Sequence, residues 1–387
     1  MAASSRLRSL AVNLAVGGTA GVLALLAAEG ILRLLGGHAG DGWHDVPPLE
    51  ERVAQIPAKR PGQMRLVALG DSFTEFRDTA GENWVRFAAA EAGRDGMDLD
   101  VWNLGQAGTS VPHYLRNLKD YGRALAPDVV AVGLYLGNDA FEYELEIEKK
   151  RRGLPPNPVA TRGRRPAGTM ARLRSTLRLA DAVVRLRKEA AARAGSRHTS
   201  FDANLRHAAE IYGLAPRETE VALAKADSEM VRRARADTLN GWDLAFGVVR
   251  PQRYVEQILL PEGSPATAGI EAMEQDLLAL DAECRAVARA CLYVVIPCSL
   301  QVHPRYFGYY EKLGFATDPR TVGESPLRSR VRGFFETHGL AAVDPLDALR
   351  ESAGDPYLPL DTHLSVAGQE TVGRATWKRL RPFIEAW

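Results

Sequence analysis

The chain has 387 residues, of which 46% are hydrophobic and 25% are charged. This composition is ordinary for a globular protein that can bury a core, in one large domain or two modest ones. The formal net charge of +1 provides no bulk electrostatic attraction for nucleic acid, so we expect no nucleic-acid partner.

The N-terminal segment predicts a membrane anchor. After two arginines, the run Leu10–Ala28 is apolar except for one asparagine and one threonine. About twenty such residues span a bilayer as a helix. The residues before Glu29 make a poor signal-peptidase site, so we predict an uncleaved signal anchor over residues 1–36. Because the basic residues come first, the rest of the chain is expected outside the cytoplasm, in the periplasm or at the cell surface. A cleaved signal peptide and a buried N-terminal helix are the alternatives.

The remainder of the chain predicts a linker followed by an α/β domain. Residues 37–63 are rich in glycine and proline, which indicates a linker. From residue 64 to 387, apolar runs alternate with helical segments, and this pattern predicts a parallel sheet covered by helices on both faces, a three-layer α/β/α fold. The predicted strands are Leu66–Leu69, Leu99–Trp102, Val129–Leu136, Leu292–Ile296 and Ala341–Val343. The helices predicted between them include Trp84–Ala92, Tyr114–Leu125 and Met273–Ala290.

An insert, roughly residues 141–269, separates the third and fourth predicted strands. It begins acidic and becomes strongly basic, and apolar residues recur at helical spacing between Leu173 and Val184. Such a charged amphipathic segment is usually a solvated helix face, and contact with anionic lipid headgroups is the alternative. Residues 204–244 also have a helical pattern, so we expect the insert to form a helical cap over the site described below.

Ser72 is the candidate nucleophile. It lies in Gly70-Asp71-Ser72-Phe73-Thr74, just past the first strand and at the start of a helix. Open α/β sheets place their sites at this edge. A serine hydroxyl needs a neighbouring base to become nucleophilic. The alternative is that Ser72 or Asp71 only caps the helix.

The next two strands end in residues that could stabilise an oxyanion. Gly108 follows the second strand, and Asn138 and Asp139 follow the third. Acyl transfer needs donors aimed at a developing oxyanion, and the N–H groups of Ser72 and Gly108 and the side-chain amide of Asn138 are candidates. Taken singly, a glycine after a strand more often marks a tight turn.

His363 is the candidate base. Of the eight histidines, it alone has a carboxylate, Asp361, two residues before it at the predicted start of a helix. An ordinary histidine titrates near pH 6.5, which suits a general base, and Asp361 could hold its imidazole in the productive tautomer. The alternative is a helix-capping Asp361 beside an exposed His363.

These motifs together resemble the SGNH hydrolase family, also called GDSL-like lipases and esterases. Ser72 lies in GDSF, Gly108 in NLGQAG, Asn138 in LGND and His363 in DTHLSVAG, and all four stand in family order. The resemblance runs from about residue 66 to 369, interrupted by the insert. It implies a flavodoxin-like sheet of strand order 2-1-3-4-5 over residues 64–387.

The resemblance also implies ester hydrolysis without metal or cofactor. Ser72, His363 and Asp361 would be catalytic, Ser72, Gly108 and Asn138 would bind the oxyanion, and Asp71 and Asp139 would support them. The substrate would be a small-molecule, glycan or lipid ester. An acyltransferase acting on an envelope or exported glycan is the first alternative, and a non-catalytic binding protein with the same fold is the second.

Two positions depart from the usual family pattern. Leu136 stands where the third motif normally has a glycine, and Asp361 precedes His363 by two residues where three is usual. The shorter spacing resembles membrane-anchored and polysaccharide-acylating relatives. A flavodoxin-like nucleotide-binding or flavin protein is disfavoured because the first strand is followed by no GxGxxG or GxxxxGK[ST] motif. An α/β-hydrolase is disfavoured because no GxSxG elbow surrounds Ser72.

The three cysteines, Cys284, Cys291 and Cys298, form no CxxC pair, which argues against a zinc ribbon or a thioredoxin-like site. We interpret them as small buried hydrophobic residues, with a Cys284–Cys291 disulfide as the alternative in an oxidising compartment.

Overall fold

The computed structural model describes residues 49–76, 81–156, 200–323 and 325–387. The predicted signal anchor and the basic amphipathic segment between Leu173 and Val184 lie outside these ranges. Within them, no helix combines the length and the hydropathy needed to cross a membrane.

Five parallel strands form one sheet in the order β2-β1-β3-β4-β5. The strands are β1 Met64–Gly70, β2 Leu99–Asn103, β3 Val129–Tyr135, β4 Ala290–Ile296 and β5 Ala342–Val343. Each begins and ends close to its predicted bounds, and the predicted order is confirmed. The two central strands, β1 and β3, are buried along almost their whole length, which is why they are continuous apolar runs.

The helices alternate with these strands and fill the predicted insert. Those before β4 are α1 Leu49–Ala54, α2 Ser72–Glu75, α3 Trp84–Arg94, α4 Val111–Leu125, α5 Asp139–Arg151, α6 Ser200–Tyr212, α7 Pro216–Ala224, α8 Ser228–Arg235, α9 Gly241–Val249, α10 Arg253–Leu259 and α11 Pro265–Val287. Those after β4 are α12 Ser299–Val302, a 3₁₀ turn at Pro304–Tyr306, α13 Phe307–Lys312, α14 Arg320–Gly323, α15 Pro326–His338, α16 Leu346–Arg350 and α17 Val366–Glu385.

The sheet is covered on both faces, so the core has two layers. Successive strand residues point to opposite faces, and in β1 Leu66 and Ala68 belong to one apolar cluster while Val67 and Leu69 belong to the other. Helices α3 and α17 pack on the first face, and α4, α11 and α15 pack on the second. This is the α/β/α arrangement that the alternating pattern predicts.

Glycines allow the close packing that places α2 beneath the ends of three strands. A Cβ at Gly105 would lie 2.8 Å from the backbone nitrogen of Glu75, and one at Gly133 would lie 2.3 Å from Thr74 Oγ1. Asn83 and Asn103 both donate side-chain hydrogen bonds to Thr74 O, at 3.1 and 2.5 Å. The turn after Ser72 is therefore held by buried contacts from several directions.

The insert is helical where the structure describes it. Residues predicted as helical between 204 and 244 fall in α6 to α9, and the apolar faces of these helices form a continuous core with the main domain. Phe141 of α5 meets Phe246 of α9 edge to face, with ring centroids 5.3 Å apart. Helix α9 thus packs directly on α5, the helix that follows β3.

The structure places a short helix, α1, inside the segment predicted as a linker. Leu49 is buried against the second face of the sheet, and Arg52 donates to Asn103 O at 2.9 Å and to Gly105 O at 2.6 Å. A six-residue helix has little stability of its own, so these tertiary contacts stabilise it. The three cysteines are free thiols, so the alternative of a disulfide is not realised.

Candidate active site

Ser72, His363 and Asp361 form one continuous hydrogen-bonded chain. His363 Nε2 lies 2.9 Å from Ser72 Oγ, and His363 Nδ1 lies 2.6 Å from Asp361 Oδ1. The ionised carboxylate can only accept, so Nδ1 carries a proton and Nε2 is left to accept the serine hydroxyl. This is the arrangement in which a histidine can take the proton of a serine nucleophile.

The loop before α17 holds His363 in place although its aspartate is only two residues away. Leu360 adopts a left-handed backbone conformation with φ 56°, which turns the chain just before Asp361. His363 O accepts a hydrogen bond from Leu358 N at 2.9 Å, and Leu364 forms an antiparallel bridge with Tyr357. These contacts hold the turn that carries Asp361 and His363.

Helix α17 fixes the position of that loop relative to the sheet. Ser365 caps the helix by accepting from Gly368 N, and Gln369 Oε1 accepts from Trp84 N of α3 at 2.9 Å. A Cβ on Gly373 would lie 2.6 Å from Trp84 O, so the glycine permits the close approach of α17 to α3. Helices α3 and α17 thereby meet, although Trp84 and Gln369 are 285 positions apart in the chain.

The surroundings of His363 favour its protonated form. The residue is 5% exposed, and its ring stacks on Phe73, with ring centroids 4.7 Å apart. Burial alone lowers the pKa of His363, but the charge and the hydrogen bond of Asp361, with Asp243 and Asp71 further away, raise that pKa above its ordinary value. The imidazole is therefore well suited to hold a proton.

The three candidate oxyanion donors lie at the same edge of the sheet. Ser72 is the first residue of α2, where backbone N–H groups have no partner within the helix. Gly108, with φ 72°, follows Ala107, whose N–H donates to Glu75 Oε2 of α2 at 2.8 Å. Asn138 follows β3, with its Nδ2 3.5 Å from Asp71 Oδ2. The ends of β1, β2 and β3 thus bring the three candidate residues to one edge of the sheet.

The two predicted supporting aspartates are fully buried and hydrogen-bonded. Asp71 accepts from Phe73 N at 2.8 Å and caps α2, and burial raises its pKa to about 6 against the opposing effects of that N–H, His363 and Asn138. Asp139 accepts from Tyr114 Oη and from Tyr135 N, both at 2.8 Å. Burial, with the charge of Asp71, raises the pKa of Asp139 well above its usual range. Both aspartates therefore join the strand ends that carry the site.

Two charged residues of the insert interact with the site, Arg253 by hydrogen bonds and Asp243 through its charge, and neither could be predicted from the sequence. Arg253, the first residue of α10, is 3% exposed, and its Nη2 donates to Gly137 O at 2.9 Å and lies 3.4 Å from Asn138 Oδ1. Asp243 of α9 is also buried, and burial raises its pKa to about 6 despite the opposing charges of Arg253 and His363. Neither belongs to a motif, and each is one of many charged residues on a helical segment.

Cys298 and His303 follow β4 but lie outside the hydrogen-bonded chain. Cys298 is buried with its Sγ 3.3 Å from Tyr310 Oη, and burial raises the pKa of the thiol. His303 is exposed and accepts from Arg305 N at 3.0 Å. The burial of Cys298 agrees with its interpretation as a small buried hydrophobic residue.

No protein-family profile matches this chain, and no curated protein matches it. Among solved structures, the chain is similar to TesA, with 14% sequence identity and a TM-score of 0.37 over 82% of this chain and 99% of that one. It is similar to a catalytic mutant of Axe2, an acetylxylan esterase from Geobacillus stearothermophilus, at 13% identity and a TM-score of 0.38, over 84% and 96% of the two chains. A third similar structure, from Desulfitobacterium hafniense DCB-2, is described as a lipolytic protein of the G-D-S-L family, with 10% identity and a TM-score of 0.37 over 82% and 100%.

Proposed function

We propose that this chain is a serine-dependent ester hydrolase of the SGNH type. The observation that carries the proposal is the continuous chain from Ser72 Oγ through His363 to Asp361, with hydrogen bonds of 2.9 and 2.6 Å. A serine–histidine–carboxylate chain with a buried histidine, at the carboxyl edge of a parallel sheet, suits acyl transfer.

In the first half of the reaction, His363 Nε2 takes the proton of Ser72 as its oxygen attacks the acyl carbonyl. Asp361 stabilises the imidazolium that forms. The imidazolium then gives its proton to the departing alcohol, and an acyl ester of Ser72 remains.

In the second half, water replaces the alcohol. His363 takes a proton from water, whose oxygen attacks the acyl-enzyme, and returns the proton to Ser72 Oγ as the carboxylic acid leaves. If a sugar hydroxyl attacks instead of water, the same residues perform an acyl transfer to a glycan.

Both tetrahedral intermediates carry a negative oxygen that must be stabilised. The N–H groups of Ser72 and Gly108 and the side-chain amide of Asn138 are the donors proposed for it, and their common location at the strand ends supports this assignment. Removing one such donor typically lowers kcat by about 10²–10³.

We propose a small-molecule, glycan or lipid ester as substrate, and a location outside the cytoplasm. The apolar run Leu10–Ala28 behind two arginines supports an anchored domain facing away from the cytoplasm. Arg253 of the insert hydrogen-bonds to Gly137 O beside the site, which supports a role of the insert in selecting the acyl group.

The test is hydrolysis of p-nitrophenyl esters of increasing acyl length by the full chain in detergent, beside Ser72→Ala. Turnover by the parent that is lost in the variant supports a Ser72 esterase, and the length profile separates acetyl from lipid substrates. No turnover with Ser72 still labelled by a fluorophosphonate favours the transferase, to be checked with an acceptor glycan. Absence of both turnover and labelling would overturn the nucleophile assignment.

A further inference from the structure

Arg253 contacts the site at the junction between β3 and α5. Its Nη2 donates to Gly137 O at 2.9 Å and lies 3.4 Å from Asn138 Oδ1. The guanidinium carbon lies 3.5 Å from the ring centroid of Phe141 and 4.6 Å from that of Tyr254. The guanidinium is therefore held between aromatic rings while one nitrogen points at the residue proposed to bind the oxyanion.

The contact selects one orientation of the Asn138 amide. A guanidinium has donors and no acceptor, so the amide atom that faces it must be the oxygen. The amide nitrogen then faces away from Arg253, towards Asp71 Oδ2 at 3.5 Å and the neighbourhood of Ser72. The bond to Gly137 O also holds the peptide that precedes Asn138.

Burial lowers the pKa of Arg253, but the charges of nearby groups, Tyr254 and Asp243 first, raise it above its ordinary value, so the guanidinium stays charged beside Asn138. Asn138 is the N-cap of α5, and the N-terminal end of a helix carries partial positive charge that repels a cation. The guanidinium of Arg253 and the N-terminal end of α5 are both positive, so both can stabilise the oxyanion that develops in the transition state.

We propose that Arg253 is a positioning residue which the insert supplies to the oxyanion pocket, where it aims the Asn138 amide at the reacting carbonyl oxygen. The inference rests on the proposed ester hydrolysis. It means that the helical insert completes the catalytic arrangement in addition to lying beside it.

A double-mutant cycle tests this directly. Asn138→Ala and Arg253→Met are made singly and together in the full chain, and kcat and KM are measured with p-nitrophenyl acetate. We expect Arg253→Met to lower kcat by about 10- to 100-fold, below the loss from a deleted donor, with KM within about twofold. In the Asn138→Ala background, Arg253→Met should lower kcat by less than about threefold, because the effects of substituting two residues that act together are not additive.

Arg250→Met is the matched control. Arg250 lies three residues earlier, pairs with Glu256 and Glu144, and lies over the ring of Tyr212, away from the strand ends. It should leave kcat within about twofold of the parent. A similar loss from Arg250→Met would overturn the proposal by assigning the effect to the packing of the insert.

Arg253→Lys serves if Arg253→Met fails to fold, as judged by circular dichroism. The lysine keeps the positive charge and one donor nitrogen, so the lysine variant should retain more activity than the methionine variant. Its effect on kcat should likewise be smaller in the Asn138→Ala background than in the parent. An equal fold-loss from either Arg253 variant in the parent and in the Asn138→Ala background would overturn the proposal. If the parent hydrolyses no ester, the proposed hydrolysis fails separately, and the rate of fluorophosphonate labelling of Ser72 in the same variants decides the role of Arg253.

Discussion

Asp361 Oδ1 accepts two hydrogen bonds from a single residue, His363: one from the backbone N–H at 2.9 Å and one from Nδ1 at 2.6 Å. An aspartate that bonds the backbone N–H two residues on forms a local turn. Here the same oxygen also orients the imidazole. The two-residue spacing therefore suffices to place a carboxylate against His363 Nδ1, because one turn fixes the backbone and the side chain of His363 together.

Asp361→Asn should nearly abolish activity without unfolding the protein. The amide oxygen can still accept from the His363 N–H, but the amide cannot stabilise the imidazolium and can impose the wrong tautomer, so kcat should fall by about 10⁴. Ester hydrolysis and thermal unfolding check this. Asp355→Asn, which changes an exposed partner of Arg305, is the control and should keep parental kcat. Activity within tenfold of the parent would exclude Asp361 as the triad acid.

The rate should rise with pH through the titration of His363. Catalysis needs the neutral imidazole, and the pKa of His363 is raised above 6.5, so kcat/KM should have its acidic inflection above pH 6.5. The stability that the raised pKa contributes has the opposite sign: it is complete below pH 6.5 and is lost as pH rises through the folded-state pKa. Rate profiles and denaturant unfolding across this window check both, and an inflection below pH 6.5 would contradict the prediction.

Asp243→Asn should shift that inflection to lower pH. The negative charge of Asp243 helps to raise the pKa of His363, so its removal leaves the imidazole easier to deprotonate. The kcat/KM profile of the variant against that of the parent measures the shift. Asp202→Asn, which removes a partner of Arg235 elsewhere in the insert, should leave the inflection unchanged. An unchanged inflection in Asp243→Asn would mean that the insert does not tune the base.

Gly105→Ala should destabilise the fold and reduce activity together. The added Cβ would lie 2.8 Å from Glu75 N and 2.9 Å from Thr74 C, so the loop that carries Gly108 must move away from α2. Such overpacking costs about 1–3 kcal/mol of unfolding free energy. Denaturant unfolding and ester hydrolysis check the two effects.

Gly333→Ala is the control for that substitution. Gly333 lies inside α15 with open space around the added Cβ, so the change should stabilise the fold by about 0.5–1 kcal/mol and leave kcat unchanged. Equal stability of the two alanine variants would contradict the close packing of Gly105 on α2.

The sequence by itself determined the sheet and the residues at its edge. Continuous apolar strands separated by helices specify a parallel sheet, and Ser72, Gly108 and Asn138 each follow a strand. Because the carboxyl ends of parallel strands lie at one edge, adjacency along the strand order becomes adjacency in space. The pairing of Asp361 with His363 could also be predicted, since both residues lie in one local turn.

Only the tertiary structure decided which side chains of the insert reach the site. Arg253 lies 115 residues from Asn138 in the chain, and helical periodicity predicts which face of a helix is apolar but not what that helix packs against. The same reason explains α1, a six-residue helix that the composition predicted as linker. Its contacts with the loop after β2 stabilise it, and such contacts exist only once the sheet has formed.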